Sequence, residues 1–225
     1  MQNRCLIVFI KYPQPGQVKS RLAKDFDGDF AAGLYKAFTL DILEWAVKGD
    51  WELKIYFYPP EKETEIKKLF GNYHEYWPQR GADLGARMKN AFIDCFAAGF
   101  KAVVLIGSDC PDLPREIIEE SFDLLESPNN MVIGPAVDGG YYLVGFGRDK
   151  FRTDIFEGLI WSTPFVLEET ILILKAKNHT PQLIGEWHDI DTSDDLLGLM
   201  ERSKETKFAD SRTMNFLKVS KYFRL

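Results

Sequence analysis

The residues with the clearest chemical potential follow the apolar run Cys5–Ile10, in the segment Lys11-Tyr-Pro-Gln-Pro-Gly16-Gln-Val-Lys19-Ser-Arg21. Positions 1 to 24 carry Arg4, Lys11, Lys19, Arg21 and Lys24 and no acidic residue, although the whole chain has 28 basic against 34 acidic residues and a net charge of −6. Pro13, Pro15 and Gly16 would stiffen and turn the backbone so that amides and cationic side chains converge on phosphate oxygens. A Walker A loop would need glycine where Val18 stands, and no G-x-G-x-x-G is present, so neither standard phosphate motif is met. A solvated basic surface loop is the competing reading.

A second candidate lies where the run Ala102–Ile106 meets Gly107-Ser108-Asp109-Cys110-Pro111-Asp112. An aspartate at the carboxyl edge of a strand can hold a hard cation, and Mg²⁺ typically takes only one or two protein carboxylates and completes its shell with water and phosphate oxygens. Asp109 is read as such a ligand and Asp112 as a cap for the helix that opens at Pro114. The partner carboxylate is sought in Trp187-His188-Asp189-Ile190-Asp191-Thr192. If extended, that segment turns Asp189 and Asp191 to one side and His188 to the other, and Asp191 is the better candidate. Asp194 and Asp195 are assigned to the N-terminus of the following helix.

Two further segments have pocket character. In Gln79-Arg80-Gly81-Ala82-Asp83-Leu84-Gly85-Ala86-Arg87, backbone amides, Gln79 and Arg87 suit a base or a phosphate, with helix capping by Asp83 as the alternative. In Gly134–Tyr142, glycines permit close backbone approach and Asp138 suits sugar hydroxyls or an acceptor, while a tight turn would explain the same residues. Trp161 suits either stacking on a ligand ring or the core. His74, His179 and His188 have no nucleophile motif around them, which argues against a Ser/His/Asp or Cys/His hydrolase.

The elements that must position these groups follow from hydrophobic pattern. Strand-length runs fall at Cys5–Ile10, Glu52–Tyr58, Ala102–Ile106 and Met131–Ala136. Leu84, Met88, Ala91, Phe92, Cys95 and Phe96 mark one face of a helix ended by Gly99. Pro114 opens a helix through about Leu125, and Ser162-Thr163-Pro164 reads as the cap of a helix ending near Lys177. Thr192 with Asp195 forms an aspartate version of the capping box. Alternation of strand and helix over the first 130 residues predicts an α/β domain with a mostly parallel sheet. Gly139-Gly140 leading into Tyr141–Phe146 predicts that the sheet becomes mixed.

With 225 residues, 45% apolar and 28% charged, the chain has the composition of an ordinary globular protein. One domain over 1–203 is expected, with 204–225 as a packed or partner-covering segment because Phe208, Met214, Phe216, Leu217, Val219, Tyr222 and Phe223 make it too apolar for a free tail. A homodimer is one such arrangement. The acidic balance argues against nucleic-acid partners, and no run approaches the roughly 20 apolar residues of a membrane span. Three widely spaced cysteines, Cys5, Cys95 and Cys110, and no leader pattern fit a reducing cytoplasm.

Taken in order, LIVFIKYPQPGQVKSRL, QRGADLGARM, LIGSDCPDL, GPAVDGGYYLVGF and DIDTSDDL resemble the bacterial family of nucleotide-diphospho-sugar transferases, glycosyltransferase-like proteins of the GT-A fold. The resemblance spans residues 5 to about 200, and its architecture is similar to the molybdenum-cofactor and phospholactate guanylyltransferases. It implies a Rossmann-like mixed, mostly parallel sheet flanked by helices. By position it makes Gly16, Lys19 and Arg21 the nucleotide-phosphate loop, Gln79 with Gly81 the neighbourhood of the base, Asp109 and Asp191 the ligands of Mg²⁺ or Mn²⁺, and Asp138 a residue on the acceptor or sugar side; with Lys11 and Arg87 added from the basic loop and the 79–87 segment, these residues are the expected nucleotide site, and Asp109, Asp138 and Lys19 the expected catalytic set. The implied activity is metal-dependent glycosyl transfer from a nucleotide sugar to a small acceptor. Nucleotidyl transfer from a nucleoside triphosphate to a phosphorylated small molecule, with release of pyrophosphate, is the alternative suited to so basic a loop; a non-catalytic nucleotide-binding module is the third reading. The first loop lacks the G-x-G of many nucleotidyltransferases, and Ser108-Asp109-Cys110 is not a D-x-D, so the resemblance carries fold further than reaction type.

Overall fold

The computed structural model describes residues 3–126 and 131–223, so positions 224 and 225 of the expected 204–225 segment lie outside the described residues. Seven strands form one sheet. In chain order they are β1 (Arg4–Lys11), β2 (Glu52–Tyr58), β3 (Tyr76–Pro78), β4 (Ala102–Ile106), β5 (Met131–Pro135), β6 (Tyr141–Gly147) and β7 (Gln182–Leu183). Their spatial order is β3-β2-β1-β4-β6-β5-β7. Every pairing is parallel except those of β6, which runs antiparallel to both β4 and β5. The short connection after β5 therefore makes the sheet mixed.

Period-two alternation explains why the strands are apolar on both sides. Leu6, Val8 and Ile10 of β1 join one core with Val104 and Ile106 of β4. That core is covered by α2 (Gly28–Ala46), α3 (Glu63–Phe70) and α5 (Arg115–Leu125). Cys5, Ile7 and Phe9 join the opposite core with Val103 and Leu105. It is covered by α4 (Leu84–Ala97), whose Met88, Ala91, Phe92 and Cys95 face inward as their spacing predicts, and by α6 (Val166–Ala176). A third core lies beyond the sheet, where α1 (Leu22–Asp25) and α2 meet α7 (Ser193–Ser203) and α8 (Arg212–Val219). The three cysteines are free and buried. Among the described residues, no helix is long and apolar enough to cross a membrane.

Two local expectations are corrected. Helix α6 begins at Val166, after a segment in which Ser162 has φ +65° and caps nothing. That segment is held from outside: a Cβ on Gly139 would lie 2.0 Å from the Pro164 carbonyl oxygen, and the Leu167 amide donates to the Gly139 carbonyl. Asp112 does not cap α5. Its carboxylate accepts from Arg202 Nε at 2.7 Å and Nη2 at 3.2 Å, and from Trp187 Nε1 at 3.3 Å, tying the loop after β4 to α7. Pro114 holds the cap position of α5 without a side-chain bond.

Candidate functional site

β1 pairs with β2 on one side and β4 on the other, so the chain leaves β1 and β4 in opposite directions. In open α/β sheets such a reversal opens a crevice beyond the carboxyl ends of the strands. The loops after β1 and β4 border a cavity of about 530 Å³ there, within the range of small-molecule sites. Lys11, Lys19, Arg21, Gln79, Arg87, Asp109 and Asp191 all line it. Gly16, Gly81 and Asp138 do not.

The centre of the site is an ammonium held between two carboxylates. Lys19 Nζ pairs with Asp109 Oδ1 and lies 2.9 Å from Asp191 Oδ1; its side chain is 2% exposed, while those of Asp109 and Asp191 are 50% and 38% exposed. Burial alone would pull the lysine pKa down, but the two aspartates outweigh it and hold the ammonium above its ordinary value. Asp109 meets the same opposition: desolvation pushes it up, and Lys19, with a lesser contribution from Lys11, brings it below the usual carboxylate range. Lys19 reaches this position from a left-handed backbone conformation, φ +47°, unusual outside glycine. Buried Val18, packed on Ala32 and Tyr35 of α2, anchors the loop beside it.

The two aspartates are brought together by main chain as well. Ile190 N donates to Asp109 O at 3.0 Å, and Ile190 is fully buried, which turns its neighbours Asp189 and Asp191 into the cavity. Asp195 does more than serve its helix. Besides completing the capping box with Thr192, its Oδ2 accepts from Asp191 N at 3.1 Å, so it fixes the backbone of the candidate ligand. Burial, followed by the charges of Asp138, Asp191 and Asp109, pushes the Asp189 carboxyl up to about 7. The site thus carries more negative charge than Lys19 balances. Among the described residues no group of three or more His, Cys, Asp or Glu side chains is arranged around a metal position. What is present is two half-exposed carboxylates that share the Lys19 ammonium through their Oδ1 atoms; their Oδ2 atoms remain as donors that fit a hard divalent ion taking its other ligands from water and phosphate.

The other expected residues divide. Gln79 Nε2 donates to the carbonyls of Ile10 and Tyr56, which leaves Oε1 as the amide's open acceptor among the described residues. Arg87 stacks over Tyr58 with its guanidinium carbon 3.9 Å from the ring centroid and donates to the Gly81 carbonyl. Gly81, at φ +148°, lets that turn close on α4: a Cβ would lie 2.7 Å from Ala86 and Arg87 backbone atoms. Asp83 caps α4. Gly16 (φ +77°) shapes the first loop without facing the cavity. Asp138 accepts from Gly140 N at 2.8 Å in its own turn, and its charge helps raise the Asp189 carboxyl. Trp161, partly buried, packs edge-on to Tyr141 and over Gly85 of α4, against the core that α4 covers. Tyr35 was not legible as a site residue, because in sequence it is one apolar-face position of a helix; Lys11 N donates to its hydroxyl, which also pairs with Ser108.

The family model described as an uncharacterized protein conserved in bacteria (DUF2064) matches residues 39–163. A solved structure from Desulfovibrio desulfuricans, provisionally named a nucleotide-diphospho-sugar transferase, is similar at a TM-score of 0.93 and 36% identity, over 97% of this chain and 95% of that one. A 4-diphosphocytidyl-2C-methyl-D-erythritol synthase from Anaerococcus prevotii is similar at a TM-score of 0.55 and 10% identity, over 91% of this chain and 99% of that one. A cytidylyltransferase from Leptospira borgpetersenii gives 0.54 and 14%, over 97% and 94%. At those identities the likeness concerns the fold alone. Among curated proteins, none matches the chain.

Proposed function

The chain belongs to the DUF2064 family of bacterial proteins and has the nucleotide-diphospho-sugar transferase fold; from that premise we propose that it transfers a glycosyl group from a nucleotide sugar to a small acceptor, with Mg²⁺ or Mn²⁺ held by Asp109 and Asp191. The observation that carries this reading is the convergence of Asp109 and Asp191 on one cation at the rim of a cavity that also carries Lys11, Arg21 and Arg87. Among the described residues Lys11 and Arg87 make no ion pair, and Arg21 lies only at the limit of one, 4.0 Å from Asp191, so their charge is available to a diphosphate.

The protein's own residues bind and orient. Arg21, 65% exposed at the rim, and Lys11, exposed at the end of β1, neutralise phosphate oxygens; the open Oε1 of Gln79 accepts from an N–H of the base. The acceptor hydroxyl oxygen attacks the anomeric carbon and gives up its proton to water, the bond from that carbon to the diphosphate oxygen breaks, and the nucleoside diphosphate leaves with the electron pair. Fixed cations aimed at that leaving group typically contribute several kcal/mol. A bound divalent ion would supply Lewis-acid stabilisation of the same charge.

The three cations around one cavity also suit the greater charge of a triphosphate, and this favours nucleotidyl transfer as the second reading. There an acceptor oxygen attacks the α-phosphorus and pyrophosphate leaves. The test is to incubate the protein with nucleotide sugars or nucleoside triphosphates, Mg²⁺ and candidate acceptors, and to measure the leaving group. Release of nucleoside diphosphate supports the first reading; release of pyrophosphate replaces it with the second. Nucleotide binding without either product would leave a binding module.

A further inference from the structure

Two hydroxyls on the cavity wall have no part in the reading above. Tyr35, on α2, and Ser108, just after β4, are each 3% exposed, and their oxygens lie 2.6 Å apart. Tyr35 Oη is also 2.8 Å from Lys11 N at the end of β1. A main-chain amide only donates, so one lone pair of Tyr35 is taken by Lys11. The phenol has a single hydrogen. Both hydroxyls line the cavity and either could be the donor of the pair; the phenol, with an ordinary pKa of about 10, is the more acidic of the two and the stronger donor. That difference favours the order Lys11 N–H to Tyr35 O–H to Ser108 Oγ.

This leaves one hydrogen over, that of Ser108. Ser108 Oγ makes no other hydrogen bond among the described residues, and the side chain lines the cavity next to Asp109. Each donor in such a chain polarises the next, so the last hydroxyl is a better donor than a free serine and suits an acceptor that carries negative charge. Burial, with the Asp109 charge adding to it, pushes the Tyr35 phenol up to about 12, so it keeps its proton throughout the neutral range.

We infer that Ser108 donates a hydrogen bond to a phosphate oxygen of the bound substrate, and that Tyr35 is a positioning residue that sets the direction of that donor. The inference rests on the phosphate-binding reading of this cavity and adds to it a specific contact. It also explains why a phenol stands at a helix position where phenylalanine would fill the same space.

The test is calorimetric titration of inorganic pyrophosphate, with Mg²⁺, into the full chain and its variants. Ser108→Ala is expected to weaken binding about tenfold, roughly 1.4 kcal/mol, and Ser108→Thr, which keeps the hydroxyl and adds a methyl on the cavity wall, to bind more tightly than Ser108→Ala. Tyr35→Phe is expected to weaken binding severalfold alone and to add clearly less in the Ser108→Ala background, where only its hold on Lys11 N is left to lose. Equal affinity of Ser108→Ala and the unmodified protein would overturn the inference while leaving the cavity reading intact. Independent, additive losses would overturn the role of Tyr35. If the unmodified protein binds no pyrophosphate, both readings fall. Should Tyr35→Phe not fold, the comparison of alanine with threonine at 108 still decides whether the serine hydroxyl makes the contact.

Discussion

An ammonium fully withdrawn from water between two carboxylates that are themselves half in water sits between the surface and buried extremes, about 1 kcal/mol for an exposed pair and about 3–5 kcal/mol for breaking a buried one. Lys19→Met keeps much of the volume and removes the charge, leaving Asp109 and Asp191 to repel each other. The variant is expected to lose about 1–3 kcal/mol in metal-free urea unfolding, and to regain more of it on adding Mn²⁺ than the unmodified protein gains. Asp189 gives a pH signature of opposite sign to the usual carboxylate. Its carboxyl is raised in the folded state, to about 7, so the folded protein binds more protons than the unfolded one between roughly pH 4 and 7, and stability falls as pH rises through that window. In metal-free protein, Asp189→Asn should flatten this decline and raise the melting temperature at pH 8; an unchanged profile would show that Asp189 ionises normally. Asp109 stood out in sequence because it follows a strand-length apolar run at the sheet's carboxyl edge, and Asp191 because it alternates with Asp189 around apolar Ile190 just ahead of a capped helix. The position of Lys19 was not. A basic loop looks the same in sequence whether its lysine faces solvent or is drawn under carboxylates that the chain supplies 90 and 172 residues later.

Elements position these residues through their ends. Helix α7 starts in a reciprocal cap, and the same Asp195 oxygen that completes it also receives the Asp191 amide. Removing an N-cap partner typically costs about 0.5–2 kcal/mol. Asp195→Ala should therefore lower stability by about 1 kcal/mol, and should weaken Mn²⁺ binding, measured by electron paramagnetic resonance, more than Asp194→Ala does, although both remove one negative charge from the first turn. Equal losses from the two would reduce Asp195 to a helix-end charge. Local chemistry of this kind is readable: Thr192 with Asp195, Asp83 ahead of α4 and the apolar stripe of α4 all follow from short-range spacing. The start of α6 and the partner of Asp112 are set by tertiary contacts, with Gly139 in one case and with Arg202 and Trp187 in the other, and no window of sequence contains them.

At the scale of the molecule, the two sides of the site share the third core. Leu22, which follows Arg21, and Ile190, which precedes Asp191, pack in one cluster with Leu34 and Phe38 of α2 and with Met214 and Leu217 of α8. Helix α8 is seated by Asp41, whose side chain is 6% exposed and accepts from Arg212 N at 2.9 Å and Thr213 N at 2.8 Å. Phe216 lies over Gly33, where a Cβ would come within 2.8 Å of its ring, and Tyr222 closes on Phe26 and Phe30. A chain ending at 203 would lose the buried side chains of Met214 and Leu217, worth about 1.5–3 kcal/mol each, and the two hydrogen bonds that Asp41 accepts from α8, about 1 kcal/mol each. It would also bare the α2 face beneath them. That sum approaches the whole stability of an ordinary domain, about 5–15 kcal/mol. The truncated chain should bind a hydrophobic dye at 25 °C and lose a cooperative melt. A removable appendage would instead leave the melting temperature unchanged and the pyrophosphate affinity intact, and that result would mean the third core does not hold Asp191 against Lys19.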